Sequence, residues 1–466
     1  MKEQQNHDIA APNQDDIQAI LHKVIIAHQQ ALTLLEQTEA AYSRLVPHQL
    51  LSLLQARSIV DIKLGDQVER KMTIMFSDIR DFTPLSESMT PAENFEFINS
   101  YLSLMEPVIS RHHGIIDKFI GDAIMALFEK GADEALNGAI DMLEKLAYYN
   151  TGRQRAGYPP IQIGIGLNSG MVMIGTVGGI NRMDSTVIGD AVNLAARLEE
   201  ATKIYDIPLI ISHNTLYDLD TPAAYHFRFL DRIRVKGKAQ PLSIYEVFDN
   251  DAPRLRQQKT KTREDFEQAV AHYHLKDIAL ALPRFERCVT LCPDDIPARI
   301  YLERCREYQA TQRHFGTGEL DLPLLWKVEF ETGIERVDAA HQALLQRINQ
   351  HATRIRQNEP TDFDDLFLFV QQHCDYLFPF EEALMRKHLY PFVDSHTHEH
   401  QHFIANYRNL LKQFRSGCHD QRYLAYRIEL LLLDWFASHA NKADRHFARY
   451  MQNTISRQTA TILGAK

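Results

Sequence analysis

At 466 residues the chain is long enough for roughly three domains of about 150 residues each. Its 45% hydrophobic content is ordinary for a globular protein, and no run reaches the ~18 uninterrupted apolar residues of a membrane span. A net charge of −10 argues against non-specific binding to nucleic acid or to an acidic membrane surface.

The N-terminus leads into no signal-peptide core. The five cysteines (Cys288, Cys292, Cys305, Cys374, Cys418) form no zinc or redox pattern; Cys288 and Cys292, one helical turn apart among apolar residues, suit packing. The chain reads as reduced and cytoplasmic, with no membrane span.

In chain order, a disordered tail (1–14) precedes a helical segment (15–60). There Ile17, Leu21, Val24, His28, Ala31, Leu35, Thr38, Tyr42 and Leu45 recur at alternating 4-3 spacing, the seam of a coiled coil, before Pro47 breaks it. The alternative is an amphipathic helix lying on the chain's own core. Residues 61–250 alternate strands and helices. An apolar run ends in Phe76-Ser77-Asp78, and Gly121-Asp122 forms a hairpin turn between Ile115–Ile120 and Ala123–Phe128. Ile161, Ile163, Ile165 and Leu167 alternate with Gln162, Gly164 and Gly166, and a Gly170-flanked return run reads as a second hairpin. Later strands are expected at Pro208–Ile211 and Leu242–Phe248, with helices such as Asn94–His112 and Glu134–Tyr149 between, an α+β or α/β arrangement.

The polar stretch 250–262 reads as a linker. Residues 266–312 read as a helix pair resembling one tetratricopeptide-like unit, which must lean on a neighbour and serves as a spacer; the linker and this pair together occupy 251–319. Residues 320–456 are helical by pattern, with helices at about 338–357, 362–387, 393–416 and 420–451, and 457–466 form a tail. Here His396 and His400 are i,i+4 on one helix, Glu381 lies on the helix before, and His341 earlier still. Imidazoles and carboxylates in a bundle core are the means of holding non-haem iron.

The stretch Phe76–Thr83, the Lys118–Asp122 hairpin, Ile188–Arg197 and Val235–Lys238, in that order, resemble the class III nucleotidyl cyclase catalytic domain. The resemblance implies a ferredoxin-like βαββαβ core. It implies two Mg²⁺ (or Mn²⁺) bridged by Asp78 and Asp122 with the carbonyl of Ile79. It implies ribose orientation by Asn193, phosphoryl charge stabilisation by Arg197 and terminal-phosphate binding by Lys236, with Lys238 a lesser substitute. Lys118 and Thr186 then select the base: lysine only donates hydrogen bonds, which suits adenine N1 and not the protonated N1 of guanine. In the family the aspartates come from one protomer and the Asn/Arg pair from the other, so a homodimer acting on ATP is implied.

The segments Trp326…Asp338-Ala339-Ala340-His341, Phe378–Met385, Tyr390-Pro391…His396…His400…Phe403 and Trp435…His439…Asp444 resemble bacterial hemerythrin. That resemblance implies non-haem iron on His341, Glu381, His396, His400, His439 and Asp444, and O₂ or a redox change as its signal. His439 and Asp444 stand about 140° apart on an ideal α-helix, so their pairing rests on the resemblance alone. Leu377 replaces a histidine of the family pattern, weakening a second iron position. His373, His388, His398 and His402 are the candidate substitutes, each better read as a solvated surface histidine.

The sequence therefore reads as a multidomain chain: an α+β cyclase core, an all-α four-helix hemerythrin-like bundle and an N-terminal helix or coiled coil. The expected function is an adenylate cyclase forming cyclic AMP and pyrophosphate, regulated through residues 263–312 by the bundle. The alternatives are an oxygen- or iron-binding protein with an inactive cyclase-like dimerisation domain, or a guanylate cyclase.

Overall fold

A computed structural model describes residues 14–42, 52–54, 59–179, 182–234, 241–313, 325–356, 359, 362–416 and 420–464. The chain divides into two compact units, Met1–Val68 with Ile174–Thr186, and Glu69–Met173 with Val187–Lys466.

In the first unit, helix α1 spans Gln14–Tyr42. Its seam residues Leu21, Val24 and Leu35 are exposed. Leu45 and the expected end of the helix lie outside the described residues. The Gly65 amide donates to the Thr176 carbonyl, and the Thr176 hydroxyl donates to the Lys63 carbonyl at 2.6 Å.

The second unit is built on a mixed sheet. The strands of the chain are β1 (Gln67–Ile79), β2 (Gly114–Ile120), β3 (Ala123–Phe128), β4 (Ile163–Gly179), β5 (Arg182–Ile188), β6 (Leu209–Ser212), β7 (Phe227–Arg234) and β8 (Pro241–Val247), with the start of β1, the end of β4 from Ile174 and β5 up to Thr186 counted in the first unit. They are ordered β2-β3-β1-β4-β6-β8-β7, with β5 paired to β4. Gly170 does not turn the chain: it lies inside the 17-residue β4, where an added Cβ would meet the Cβ of Ala191 at 3.0 Å. The glycine serves close packing and not a hairpin.

Strand β6 shows how the sheet serves two cores. All four of its residues are buried; Leu209 and Ile211 face one cluster and Ile210 the other, the period-two alternation of a strand covered on both sides. The first cluster packs Met75, Phe128 and Ile165 against α3 (Pro91–Arg111) and α4 (Ala132–Arg155), which follow the short α2 (Phe82–Glu87). Helix α3 begins cleanly because Thr90 and Glu93 form a reciprocal capping box and Pro91 sits in the first turn.

The opposite cluster joins α5 (Asp190–Tyr205), β7 and β8 to α7 (Pro253–His274), α8 (Ile278–Leu291) and α9 (Ile296–Thr311); α6 is the short His213–Tyr217. The polar stretch expected to be a linker is thus the first half of α7, with Lys259 and Thr262 buried. Of its charges, Lys259 belongs to a buried network. The Arg228 guanidinium donates to Glu246 at 2.6 Å and twice to Asp295 at 2.7 Å, lies 3.9 Å over the Phe266 ring, and is fully buried. Lys259 bridges Glu246 and Asp251, each at 2.7 Å.

The C-terminal bundle comprises α10 (Glu335–Arg356), α11 (Phe363–Lys387), α12 (Val393–Ser416), α13 (Gln421–Trp435) and α14 (Asp444–Gly464). The final helix expected over 420–451 is interrupted by a π-helical segment, Phe436–Ala443. Among the described residues no helix is long and apolar enough to cross a membrane.

Removing a buried cation leaves its partners uncompensated, so Arg228→Ala should lower stability by ~3–5 kcal/mol in urea unfolding. Arg228→Lys should recover only part of this, because an ammonium cannot reproduce the forked contact with Asp295.

Candidate functional site

Two sites lie in the second unit. The first is at the ends of β1 and the β2–β3 hairpin. Gly121 adopts φ +66°, the left-handed conformation that the tight turn requires, and this carries Asp122 to β1, where the Ile79 amide donates to its Oδ2 at 3.2 Å. Burial, with Asp78 alongside, pushes the Asp122 carboxyl up to about 6. The Lys203 ammonium meets Asp78 Oδ2 at 2.9 Å and Glu199 at 3.4 Å. Arg80 ties the end of β1 to α5 through Asp206 and the carbonyls of Thr202 and Ile207. Two crowded carboxylates with a cation already drawn to one of them fit a divalent metal.

Helix α5 is held close to β4 by glycine. A Cβ on Gly166 would stand 2.3 Å from the Glu199 amide nitrogen, so only glycine permits this approach. The helix carries Asn193, which is exposed, and Arg197, which is partly exposed. Among the described residues, neither makes a hydrogen bond or ion pair with Asp78 or Asp122. Lys118 lies on β2 and Thr186 on β5; Lys236 and Lys238 lie outside the described residues. Lys203 and Arg80 were missed in the sequence because each stands in a helix or loop with ordinary surface spacing.

The second site is in the bundle. Ligand atoms of Glu381, His396, His400 and His439 lie within 4.8 Å of one another, as do those of His341, Glu381 and Asp444; all six residues are buried. Asp444 stands at the centre, 3.1 Å from His341 and from His396 and 3.3 Å from His439, while His400 is 3.4 Å from Glu381. The π segment explains how residues five apart come together, since its i→i+5 repeat brings Asp444 round to the side of His439.

Aromatic stacking fixes the rings: Phe378 lies 3.9 Å from His400 and Trp435 3.8 Å from His439, centroid to centroid. Carboxylates brace the far sides of two imidazoles, with Glu382 3.2 Å from His400 Nδ1 and Glu399 2.7 Å from His439 Nδ1. Such outer contacts set which ring nitrogen faces a metal. Both oxygens of Glu381 and of Asp444, and the Nε2 atoms of His396, His400 and His439, make no hydrogen bond although buried. Burial, with Asp444 nearby, pushes Glu381 up to about 7. Buried donors that converge without hydrogen bonds fit a metal ion, and this group could hold one.

His373 departs from the surface placement expected of it. It is 8% exposed, its Nε2 has no hydrogen-bond partner, and its ring lies 6.4 Å from His341. Leu377, one turn on, is buried as well, so this side of α11 faces inward. His388, His398 and His402 are partly exposed, as expected. Glu382 and Glu399 adjoin ligands in sequence, which was the available signal for them.

Comparison with known proteins bears on the first site. Residues 65–248 match the family described as adenylate and guanylate cyclase catalytic domain. The chain is 42% identical over 242 residues to an adenylate cyclase of Anabaena cylindrica, covering 50% of this chain and 48% of that protein. It is 36% identical over 281 residues to a terminal-differentiation-specific adenylate cyclase of Dictyostelium discoideum, covering 59% of this chain and 13% of that one. Among solved structures, the adenylyl cyclase CyaB from P. aeruginosa is 34% identical, covering 39% of this chain and 96% of that one with a TM-score of 0.35. The chain thus spans about half or less of the curated relatives it matches. The matched segment holds Asp78 on β1, Asp122 on the β2–β3 hairpin and the whole of α5.

Proposed function

We propose that the chain is an adenylate cyclase working as a homodimer, converting ATP to 3′,5′-cyclic AMP and pyrophosphate, with a hemerythrin-like C-terminal domain that senses O₂, redox state or iron. The observation carrying the first part is the meeting of Asp78 and Asp122 beside the Ile79 backbone, in a segment of cyclase family. Mg²⁺ or Mn²⁺ bound there supplies charge neutralisation and lowers the pKa of the attacking ribose hydroxyl. Asp78, Asp122 and the Ile79 carbonyl hold that charge in place. Asn193 orients the ribose so that its 3′ oxygen is in line with the α-phosphorus, and Arg197 stabilises charge on the transferring phosphoryl group. Lys236 takes the terminal phosphates. Lys118 donates to adenine N1, and the Thr186 hydroxyl accepts from the adenine amino group.

That, among the described residues, Asn193 and Arg197 make no hydrogen bond or ion pair with the aspartates of their own chain supports a site shared between two copies. Phe119, Ile120 and Ile188 expose apolar surface on these same elements, as a dimer face would. The heptads of α1 would raise the effective concentration of the two halves.

In the bundle, His396, His400 and His439 with Glu381 and Asp444 suit one iron. His341 with the same carboxylates suits a second position that lacks an imidazole at Leu377. Bound non-haem iron supplies redox change or O₂ binding there. The chain's own part is to hold the imidazole rings, exclude bulk water and bring the carboxylates between the two positions.

Mixing Asp78→Ala chains with Arg197→Ala chains tests the shared site. Each variant alone should be inactive with ATP and Mg²⁺, whereas a re-equilibrated mixture should recover about a quarter of wild-type activity, since half its dimers hold one intact site of two. No recovery would refute the shared arrangement. Metal analysis tests the bundle. His396→Ala should weaken metal binding by at least ~100-fold, the upper end of what loss of a mere outer contact costs. Leu377→His should raise the iron-to-protein ratio.

A further inference from the structure

The bundle does not only follow the catalytic sheet in sequence; it grips strand β1. Lys71, on β1, places its ammonium 2.8 Å from Glu399 Oε1 and 2.8 Å from Asp218 Oδ1. The other oxygen of Glu399 meets His439 Nδ1 at 2.7 Å. His439 belongs to the bundle's metal-binding group, and Asp218 caps α6 immediately after β6. An unbroken chain of charged contacts therefore runs from a candidate metal ligand to strand β1 and to the end of the short helix that follows β6.

A second grip lies beside the first. Glu69, two residues before Lys71 and so on the same side of the strand, meets His446 Nε2 at 2.8 Å; the opposite nitrogen of His446 meets the Tyr390 hydroxyl at 2.6 Å. His446 is two residues beyond Asp444, the carboxylate at the centre of the cluster. Lys71, Glu399, His396, His439 and His446 also line a cavity of about 340 Å³ between the sheet and the bundle, which leaves room for these side chains to move.

We propose that Lys71 is a positioning residue through which metal occupancy of the bundle is transmitted to β1, and so to Asp78 at its far end. This rests on the reading that the bundle holds a metal and that the sheet is an active cyclase. The geometry supplies the motion. His439 Nε2 now stands 3.3 Å from Asp444 Oδ1, and a metal taken up by the group would replace that contact with its own bond lengths and angles, re-seating the His439 ring. Motion of His439 pulls Glu399, whose two oxygens are divided between His439 and Lys71, and Glu399 pulls Lys71. Seven residues of extended strand, roughly 23 Å, separate Lys71 from Asp78. A hydrogen-bonded interior strand transmits a shift along its length with little loss, and packed interfaces turn sub-ångström shifts into two discrete arrangements.

The test uses full-length wild type, Lys71→Met and Lys71→Arg. Each is loaded with Fe(II) or stripped with a transition-metal chelator in excess Mg²⁺; bound iron and cyclic AMP formation are then measured. Wild type should differ between loaded and stripped forms by about fivefold or more, the lower end of common allosteric coupling. Lys71→Met should bind iron and cyclise ATP, with the two rates equal; Lys71→Arg, which restores the cation, should regain the difference. A Lys71→Met protein that binds iron and keeps the full wild-type difference overturns the inference. Wild-type protein that binds iron but shows no difference overturns it too, leaving the cyclase reading intact; failure to bind iron sinks the metal reading instead. Should Lys71→Met not fold, hydrogen exchange on wild type decides. Iron loading should alter protection across residues 69–78, and unchanged protection there refutes the link.

Discussion

Carboxylates brought together away from bulk water need a cation, and the catalytic half and the bundle are both organised around that need. Two like charges about 4 Å apart repel by ~4 kcal/mol even at an effective dielectric of 20. Asp122 beside Asp78 and Glu381 beside Asp444 are each raised, by burial first and by the neighbouring acid next. The Arg228 network shows the opposite solution. There the protein supplies its own cations, Arg228 and Lys259, and the contacts of Glu246 and Asp295 with them are short and direct. Saturated charge of that kind joins two parts of a fold. At Asp444 the compensation comes from three imidazoles at 3.1–3.3 Å, groups that can themselves turn to a metal, and that is the condition of a binding site.

Each site is held by backbone features that suit nothing else. Gly121 in the left-handed region turns Asp122 back to β1, and the bare backbone of Gly166 lets α5 lie against β4. In the bundle the equivalent device is a π-helical turn, which gives up α-helical hydrogen-bond geometry to bring His439 and Asp444 to one side. Stacking by Phe378 and Trp435 then limits the rings to one orientation. Pre-organisation of this sort lowers the entropic cost of assembling ligands.

Much of this was legible in the sequence where residue type and spacing agree. A strand ending in Asp78, a Gly-Asp turn and an i,i+4 His396/His400 pair each follow from local geometry, and the six bundle residues expected to hold metal lie close together. Three features were hidden. The π turn has no signature in the Phe436–Ala443 composition, so ideal helix angles separated a pair that is in fact adjacent. Gly170 looked like a turn because the helix that requires a glycine there is distant in sequence. Lys259 looked solvated because its partner Glu246 lies on another element. For Gly170 and Lys259 the deciding contact was with another element, which residue spacing does not encode.

The same distinction bears on how the two halves communicate. Sequence adjacency pointed to residues 263–312 as the route, but those helices are fastened to β7 and β8 by the buried Arg228 network and by Tyr301, whose hydroxyl donates to the Leu230 carbonyl. Breaking such contacts costs too much for them to be a moving part. Moving them as a rigid body would shift the sheet edge formed by β8 and β7, the side away from β1 in the strand order. Lys71 and Glu399 are each about a quarter exposed, border a cavity and sit on the strand that ends at Asp78. Partly hydrated ion pairs exchange partners at far lower cost than fully buried ones. The helix pair is therefore the fixed mount, and the strand contact is where, on the proposed reading, the bundle has freedom to act on Asp78 and Asp122.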